Sequence, residues 1–137
     1  MKTVMAFGTF DFLHPGHLFY LKKAKALGSR LVVVVSRDAN AKIVKGRKPL
    51  NREVDRLEMV RQLRLVDEAV LGDRQLRKWQ VIKKFRPTAI ALGYDQWASI
   101  PSLRKQLDEE GLQPRIVRIK PFKPKRNSSR RIRGNQA

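Results

Sequence analysis

The chain contains no cysteine among its 137 residues. Without thiols it has no disulfide, no thiolate nucleophile and no cysteine-ligated metal site. A metal, if the chemistry uses one, is therefore expected to be a hard cation held by oxygen atoms and delivered with a substrate.

Long hydrophobic runs are also missing. The longest unbroken aliphatic run, residues 31–35, is far shorter than the roughly 20 residues that a transmembrane helix needs. No charged and then apolar signal segment opens the sequence. We therefore expect a cytoplasmic protein without a membrane partner. The hydrophobic fraction of 42% fits a single folded domain.

Acidic residues are scarce, with 12 Asp and Glu against 31 Lys and Arg, which gives a net charge of +19. No acidic residue follows Glu110, whereas nine basic residues lie between Arg115 and Arg133. A field of this sign attracts polyanions such as nucleic acids, nucleoside triphosphates and phosphorylated metabolites. Charge alone does not choose among them.

Apolar segments alternate with helical patterns along the chain. Strands are predicted at residues 3–7, 31–35, 68–71, 88–92 and 115–119, and helices at 15–27, 51–63, 74–85 and 100–109. Gly28 and Gly111 are predicted to end the first and last helices in the left-handed conformation. The alternation predicts an α/β, Rossmann-like open parallel sheet of about five strands with helices on both faces. The domain is expected to span 1–119, followed by a basic tail at 120–137.

The unusual residues follow the predicted strands. Residues 8–11 and the only two histidines, His14 and His17, follow the first strand, Asp38 follows the second, and residues 93–96 follow the fourth. Ligands of open α/β sheets bind beyond the carboxyl ends of the strands, so one cleft would gather these residues.

The two histidines lie at the predicted start of the first helix. Pro15 suits the opening turn of a helix, and the free N–H groups of that turn favour a phosphate. Two imidazoles beside it can each donate a hydrogen bond as charge develops on a transferring phosphoryl group. The alternative interpretation is structural: one histidine caps the turn and the other packs under it.

Residues 8–17, "GTFDFLHPGH", resemble the signature of the HxGH nucleotidylyltransferases, a cytidylyltransferase-like family. Further similarity lies in "VVVVSRD", "RLEMV" and "ALGYDQ". The chain is particularly similar to archaeal-type FAD synthases, which are FMN adenylyltransferases. The alternative within the family is a CTP-dependent glycerol-3-phosphate cytidylyltransferase.

The resemblance implies a direct in-line transfer of AMP from ATP to a phosphorylated acceptor, with release of pyrophosphate. Mg²⁺ would arrive with the triphosphate, and no resident metal site is implied. The implied catalytic residues are His14, His17 and Lys45. The implied nucleotide-binding residues are the two histidines with Gly8, Thr9, Phe10, Gly93, Asp95, Ser128 and Ser129. The implied acceptor-binding residues are Asp11, Asp38 and Lys48, the last placed with Lys42, Lys45 and Arg47 in a predicted loop.

The tail departs from the family pattern. Many relatives carry Arg-Thr-x-Gly-Ile-Ser-Thr/Ser before a last helix, whereas this chain has "KPKRNSSRRIRG". Arg126, Ser128 and Ser129 are expected to replace the missing groups and fold over the triphosphate.

The predicted acceptor is FMN, because Phe10, Phe12, Tyr94 and Trp97 follow strand ends, where a flat isoalloxazine ring could stack. An alternative of another class is a nucleic-acid-binding module, which the charge favours but no recognition motif supports. A homodimer is expected only by analogy with relatives.

Overall fold

The computed structural model describes residues 2–96 and 99–123. Its five strands form one parallel sheet in the order β3-β2-β1-β4-β5. The strands are β1 (Thr3–Gly8), β2 (Arg30–Val35), β3 (Glu68–Leu71), β4 (Ala89–Leu92) and β5 (Arg115–Arg118). The helices are α1 (Pro15–Lys25), α2 (Asp38–Lys45), α3 (Glu53–Arg61), α4 (Gln80–Phe85) and α5 (Ile100–Glu109). The predicted fold class is confirmed.

The central strands are apolar throughout because both of their faces are covered. Along β2, Leu31, Val33 and Val35 face a core shared with α1 and α3. Val32 and Val34 face a second core shared with α4 and α5. These alternate contacts place helices on both faces of the sheet, as predicted.

One loop prediction and one helix prediction were wrong. The predicted loop after Asp38 begins with helix α2, which carries Lys42 and Lys45 and ends at Gly46, where φ is +86°. The predicted helix at 74–85 is reduced to α4, because Trp79 has a φ of +58° and the Asp73 carboxylate accepts the first amides of α4. Such short helices depend on tertiary contacts more than on their own hydrophobic pattern.

The two glycines predicted as left-handed helix ends differ. Gly111 has a φ of +74°, as predicted, but Gly28 is absent from the positive-φ residues of the described chain. A Cβ atom at Gly28 would lie 2.6 Å from the Lys2 carbonyl oxygen. Gly28 is therefore required by the close passage of the backbone before β1.

The chain order of the sheet reverses between β1 and β4. Their register ends at the pair Ala6 and Ala91, so the carboxyl ends of the two strands separate beyond this point. A gap at this position is the usual ligand site of an open α/β sheet. No helix within the described ranges is long and apolar enough to cross a membrane.

Candidate active site

Two cavities open at the carboxyl end of the sheet. The first, called here the histidine cavity, has a volume of about 770 Å³ and lies over the turn between β1 and α1. The second, the α2 cavity, has about 720 Å³ and lies between α2, α4 and α5. Both volumes fit small-molecule ligands. The residues that line both cavities, called here the junction, are Phe7, Gly8, Thr9, Lys45, Asp95 and Gln96.

The turn after β1 is built around Phe10. Its φ is +54°, a left-handed conformation that is uncommon for a large side chain, and its ring is buried. The ring fills the space where a side chain at Gly8 would stand, since a Cβ there would lie 2.6 Å from the Phe10 Cζ. It also meets the His17 ring edge-on at 5.3 Å. Phe10 therefore supports the turn from below; it lines the histidine cavity, but its buried ring gives no support to the expected stacking on a flavin.

His14 and His17 cap the start of α1 reciprocally. His14 Nδ1 accepts the Gly16 N–H at 3.0 Å, and His17 Nδ1 accepts the His14 N–H at 3.3 Å. The two rings stack with their centroids 3.9 Å apart. Because each Nδ1 accepts, the proton of each neutral imidazole is assigned to Nε2. The cap thus leaves the Nε2–H of His14 as a donor for the cavity that the two rings line, while the His17 ring also bonds the Phe12 backbone.

Gly16 makes this cap possible. A Cβ atom at this position would lie 2.8 Å from His14 Cε1, so any side chain would displace the ring. Pro15 occupies the first turn, where no amide hydrogen is needed. The structural and the functional interpretation of the histidines therefore describe the same arrangement, in which capping orients both rings.

His17 is neutral at physiological pH. The pKa of His17 is lowered to about 4, mainly by burial and further by repulsion from His14 and Lys45. A bond to the Phe12 backbone opposes this shift. The effect of Lys45 on this pKa also places the ammonium group near the histidine pair. Lys45 lies in the last turn of α2 and belongs to the junction.

Asp11 is directed toward the segment before α3. Its carboxylate accepts the backbone amides of Leu50 and Asn51, both at 2.8 Å, and the Asn51 side chain bonds the Asp11 carbonyl at 2.6 Å. Burial pushes the pKa of Asp11 upward, but the hydrogen bonds from Leu50 and Asn51 outweigh it and lower the pKa. Asp11 therefore anchors the loop that carries Lys48 along the histidine cavity. Acceptor binding by Asp11 and Lys48 stays a prediction.

Asp38 joins α2 to α3. Its amide donates to Glu53 Oε1 at 2.7 Å, and its Oδ2 accepts the Glu53 amide at 3.2 Å. Its Oδ1 receives Arg56 Nη2 at 2.6 Å. Asp38 lines neither cavity. These bonds give it a structural task, and its predicted contact with the acceptor has no support in this geometry.

Arg56, which the sequence interpretation missed, ties these segments together. Its side chain is fully buried. Besides Asp38, it binds the Thr9 carbonyl at 2.8 Å and the Asn51 carbonyl at 2.9 Å. One guanidinium thus connects α3 with the turn after β1, with the start of α2 and with the loop before α3. Arginine suits this position because its planar fork donates in several directions at once.

The comparisons with known proteins point to one family. The sequence pattern of the Cytidylyltransferase-like family matches residues 5–135. The chain belongs to the cytidylyltransferase-like family.

Named relatives fall in the same group. The chain is 47% identical to a FAD synthase of Methanothrix thermoacetophila, over 90% of this chain and 85% of that protein. It is 48% identical to a FAD synthase of Methanothermus fervidus, over 87% of this chain and 83% of that protein.

Solved structures share the fold. A lipopolysaccharide core biosynthesis protein from Thermoplasma volcanium matches with a TM-score of 0.85 and 40% identity, covering 90% of this chain and 99% of that one. A pantoate-beta-alanine ligase from Francisella tularensis matches with a TM-score of 0.59 at 12% identity, over 90% of this chain and 60% of that one. The latter shows a common fold alone.

The remaining predicted residues of this family member fall into three groups. Gly93 and Asp95 lie beside the gap after β4, with Gly93 lining the histidine cavity and Asp95 both cavities. Phe12 and Tyr94 are exposed and line the histidine cavity. Arg126, Ser128, Ser129 and Trp97 lie outside the described residues.

Three residues that line the cavities, Tyr20, Gln96 and Trp79, received no functional role from the sequence, and Trp79 was expected only to pack in the core. Trp79 packs against the core of α4 and α5 and also lines the α2 cavity. Among residues 2–96 and 99–123, no group of three His, Asp or Glu side chains could hold a metal ion. The described part of the site offers imidazoles and amines, together with the carboxylates of Asp11 and Asp95.

Proposed function

We propose that the protein is an FMN adenylyltransferase that transfers AMP from ATP to FMN, giving FAD and pyrophosphate. The observation that carries the proposal is that two ligand-sized cavities meet at the junction, where Lys45 lies, and that the histidine pair lines one of these cavities. A transfer between two phosphorylated ligands needs such a meeting point. The FAD synthases that cover most of this chain support the choice of substrates.

The histidine cavity suits the triphosphate. It contains the start of α1, where the positive end of the helix dipole attracts anions, together with the histidine pair, Lys45 and Lys48. Mg²⁺ would enter as part of the substrate MgATP. The rim of the cavity includes Tyr94, which is exposed and available to the adenine.

The α2 cavity suits a flavin. Its lining includes Val44, Leu76, Trp79 and Leu103, which together offer an apolar surface to a flat ring system. Glycerol 3-phosphate would leave this surface in contact with water. The aromatic ring proposed to stack on FMN is therefore Trp79 rather than Phe10, which is buried.

The proposed reaction needs no covalent enzyme intermediate. An oxygen of the FMN phosphate attacks the α-phosphorus of ATP, a new phosphorus–oxygen bond forms, and the bond to the β-phosphate bridge breaks as pyrophosphate leaves. His14 and His17 donate to the α-phosphate oxygens as negative charge builds up there, and Lys45 compensates charge at the junction. The fixed positions of these donors lower the barrier because they need no reorganisation.

The test pairs each nucleotide with each acceptor. The purified protein is incubated with Mg²⁺, ATP or CTP, and FMN or glycerol 3-phosphate, and pyrophosphate release and products are measured. ATP with FMN should give FAD, with CTP a much poorer donor. Formation of cytidine diphosphate-glycerol without FAD would overturn the substrates, and pyrophosphate release in no pairing would overturn the reaction class.

A further inference from the structure

The gap between β1 and β4 is held open by the Tyr20 hydroxyl. Tyr20 extends from α1 and is buried, and its oxygen accepts the Phe7 amide at 3.0 Å and donates to the Ala91 carbonyl at 2.6 Å. Burial raises the pKa of this phenol well above its usual value, so it remains a donor. A side-chain hydroxyl thus links the two strands where their register ends.

Gln96 makes the next link toward the cavities. Its Nε2 donates to the Phe7 carbonyl at 2.7 Å, and its Oε1 accepts the Gly93 amide at 2.9 Å. The backbone carbonyl requires a donor and the backbone amide requires an acceptor, so the orientation of the Gln96 side chain is fixed. Together, Tyr20 and Gln96 bind both backbone groups of Phe7.

The loop that carries Gln96 is held from its other side by β5. Arg118 donates to the Gly93 carbonyl at 3.2 Å and to the Gln96 carbonyl. Gln96 is therefore anchored at its main chain, and its side chain spans a gap of set width. Gln96 and Phe7 both line the two cavities, so the hydrogen bond between them lies at the junction.

We propose that Gln96 is a positioning residue that fixes the width of the gap between Phe7 and Gly93, where the two bound substrates meet. The inference rests on the proposed function. Gln96 supplies a donor to β1 and an acceptor to the loop after β4 at the same time, and an amide does both. A hydrocarbon does neither, and a carboxylate accepts but cannot donate. The reacting phosphates contact residues other than Gln96. The distance between those residues depends on the Gln96 side-chain amide.

The kinetic test compares Gln96→Leu and Gln96→Glu with wild type. Misplacing reacting groups by about 1 Å can cost roughly 100-fold, so we expect Gln96→Leu to lower kcat by about 10- to 100-fold. The KM values for ATP and FMN should stay within about threefold, because neither substrate loses a direct contact. Gln113→Leu, an exposed glutamine on the loop before β5, is the matched control and should behave as wild type.

The Gln96→Glu variant provides a pH signature that a general loss of stability would not. When protonated, the new carboxyl group donates to Phe7 and accepts from Gly93, as the amide does. When ionised, it repels the Phe7 carbonyl. The ratio of its kcat to that of wild type should therefore rise as pH falls from about 8 to about 5.5, toward the range where a partly buried carboxyl gains its proton.

Amide hydrogen exchange without substrates separates this proposal from the proposed function. Gln96→Leu should speed exchange of the Gly93 amide, whereas Gln113→Leu should not. A folded Gln96→Leu enzyme that makes FAD with kcat within about threefold of wild type would overturn the positioning role. A loss confined to one KM, or a flat kcat ratio for Gln96→Glu, would overturn it as well. Failure of the wild type to make FAD would instead contradict the proposed function.

Discussion

Replacing Arg56 by methionine should destabilise the protein and loosen the site together. The guanidinium is fully buried and binds the Asp38 carboxylate, the Thr9 carbonyl and the Asn51 carbonyl. Methionine fills a similar volume but donates no hydrogen bond. The substitution therefore leaves a carboxylate and two carbonyls without their donor.

The magnitude follows from the exposure of the partners. Breaking a buried ion pair by removing one partner costs about 3–5 kcal/mol. Asp38 keeps 29% of its side chain exposed, so water compensates part of the loss and the lower end, about 3 kcal/mol, applies. In a chain of this length that corresponds to a decrease in Tm of roughly 10 °C. The activity should fall as well, because Thr9 and the start of α2 lose their common anchor.

Urea unfolding followed by circular dichroism measures the effect on stability. Arg52→Met is the matched control, because Arg52 lies just before α3, is mostly exposed and pairs with the likewise exposed Asp55 at 3.1 Å. An exposed pair of this kind contributes about 0.5 kcal/mol. The reasoning is refuted if the free energy of unfolding falls equally in both variants, or by less than about 1 kcal/mol in Arg56→Met.

Three further predictions concern the histidines and the tail. His14→Ala and His17→Ala should each lower kcat by roughly 100- to 1,000-fold in a folded protein, and near-normal turnover would contradict their role as donors. The pKa of His17 is lowered to about 4 in the folded state, so the unfolded chain binds more protons between pH 6.5 and about 4. The free energy of unfolding should therefore decrease as the pH is lowered through this window. His17→Gln should reduce this decrease, and an unchanged slope would argue against a neutral His17. Removing residues 124–137 should abolish turnover and leave a folded domain, whereas full activity would refute a role of the tail at the triphosphate.

The sheet could be predicted because each buried strand is recognisable from its own few residues. A strand buried on both faces is apolar at successive positions, so β2 and β4 stand out from their surroundings. The "GTFDFLHPGH" segment was also informative, since a proline, a glycine and two histidines at a strand-to-helix turn have few structural explanations. The placement of the cleft then followed from the strand ends.

The internal supports of the site could not be predicted because they join distant segments. Arg56 and Thr9 are 47 positions apart, and Gln96 and Phe7 are 89 positions apart. An arginine in an amphipathic helix, or a glutamine in a loop, has the composition of a solvated surface. One signal was available for Tyr20, because a tyrosine at a core position needs a partner for its hydroxyl.

Two acidic residues that the sequence associated with the acceptor bind backbone amides in this structure. Asp11 holds the loop before α3, and Asp38 holds α2 against α3 and Arg56. Burial is the main reason that the pKa of His17 is lowered, and the positive charge of Lys45, which a polyphosphate requires, adds to it. Binding of that polyphosphate should therefore raise the pKa of His17, because its negative charge offsets the repulsion from Lys45.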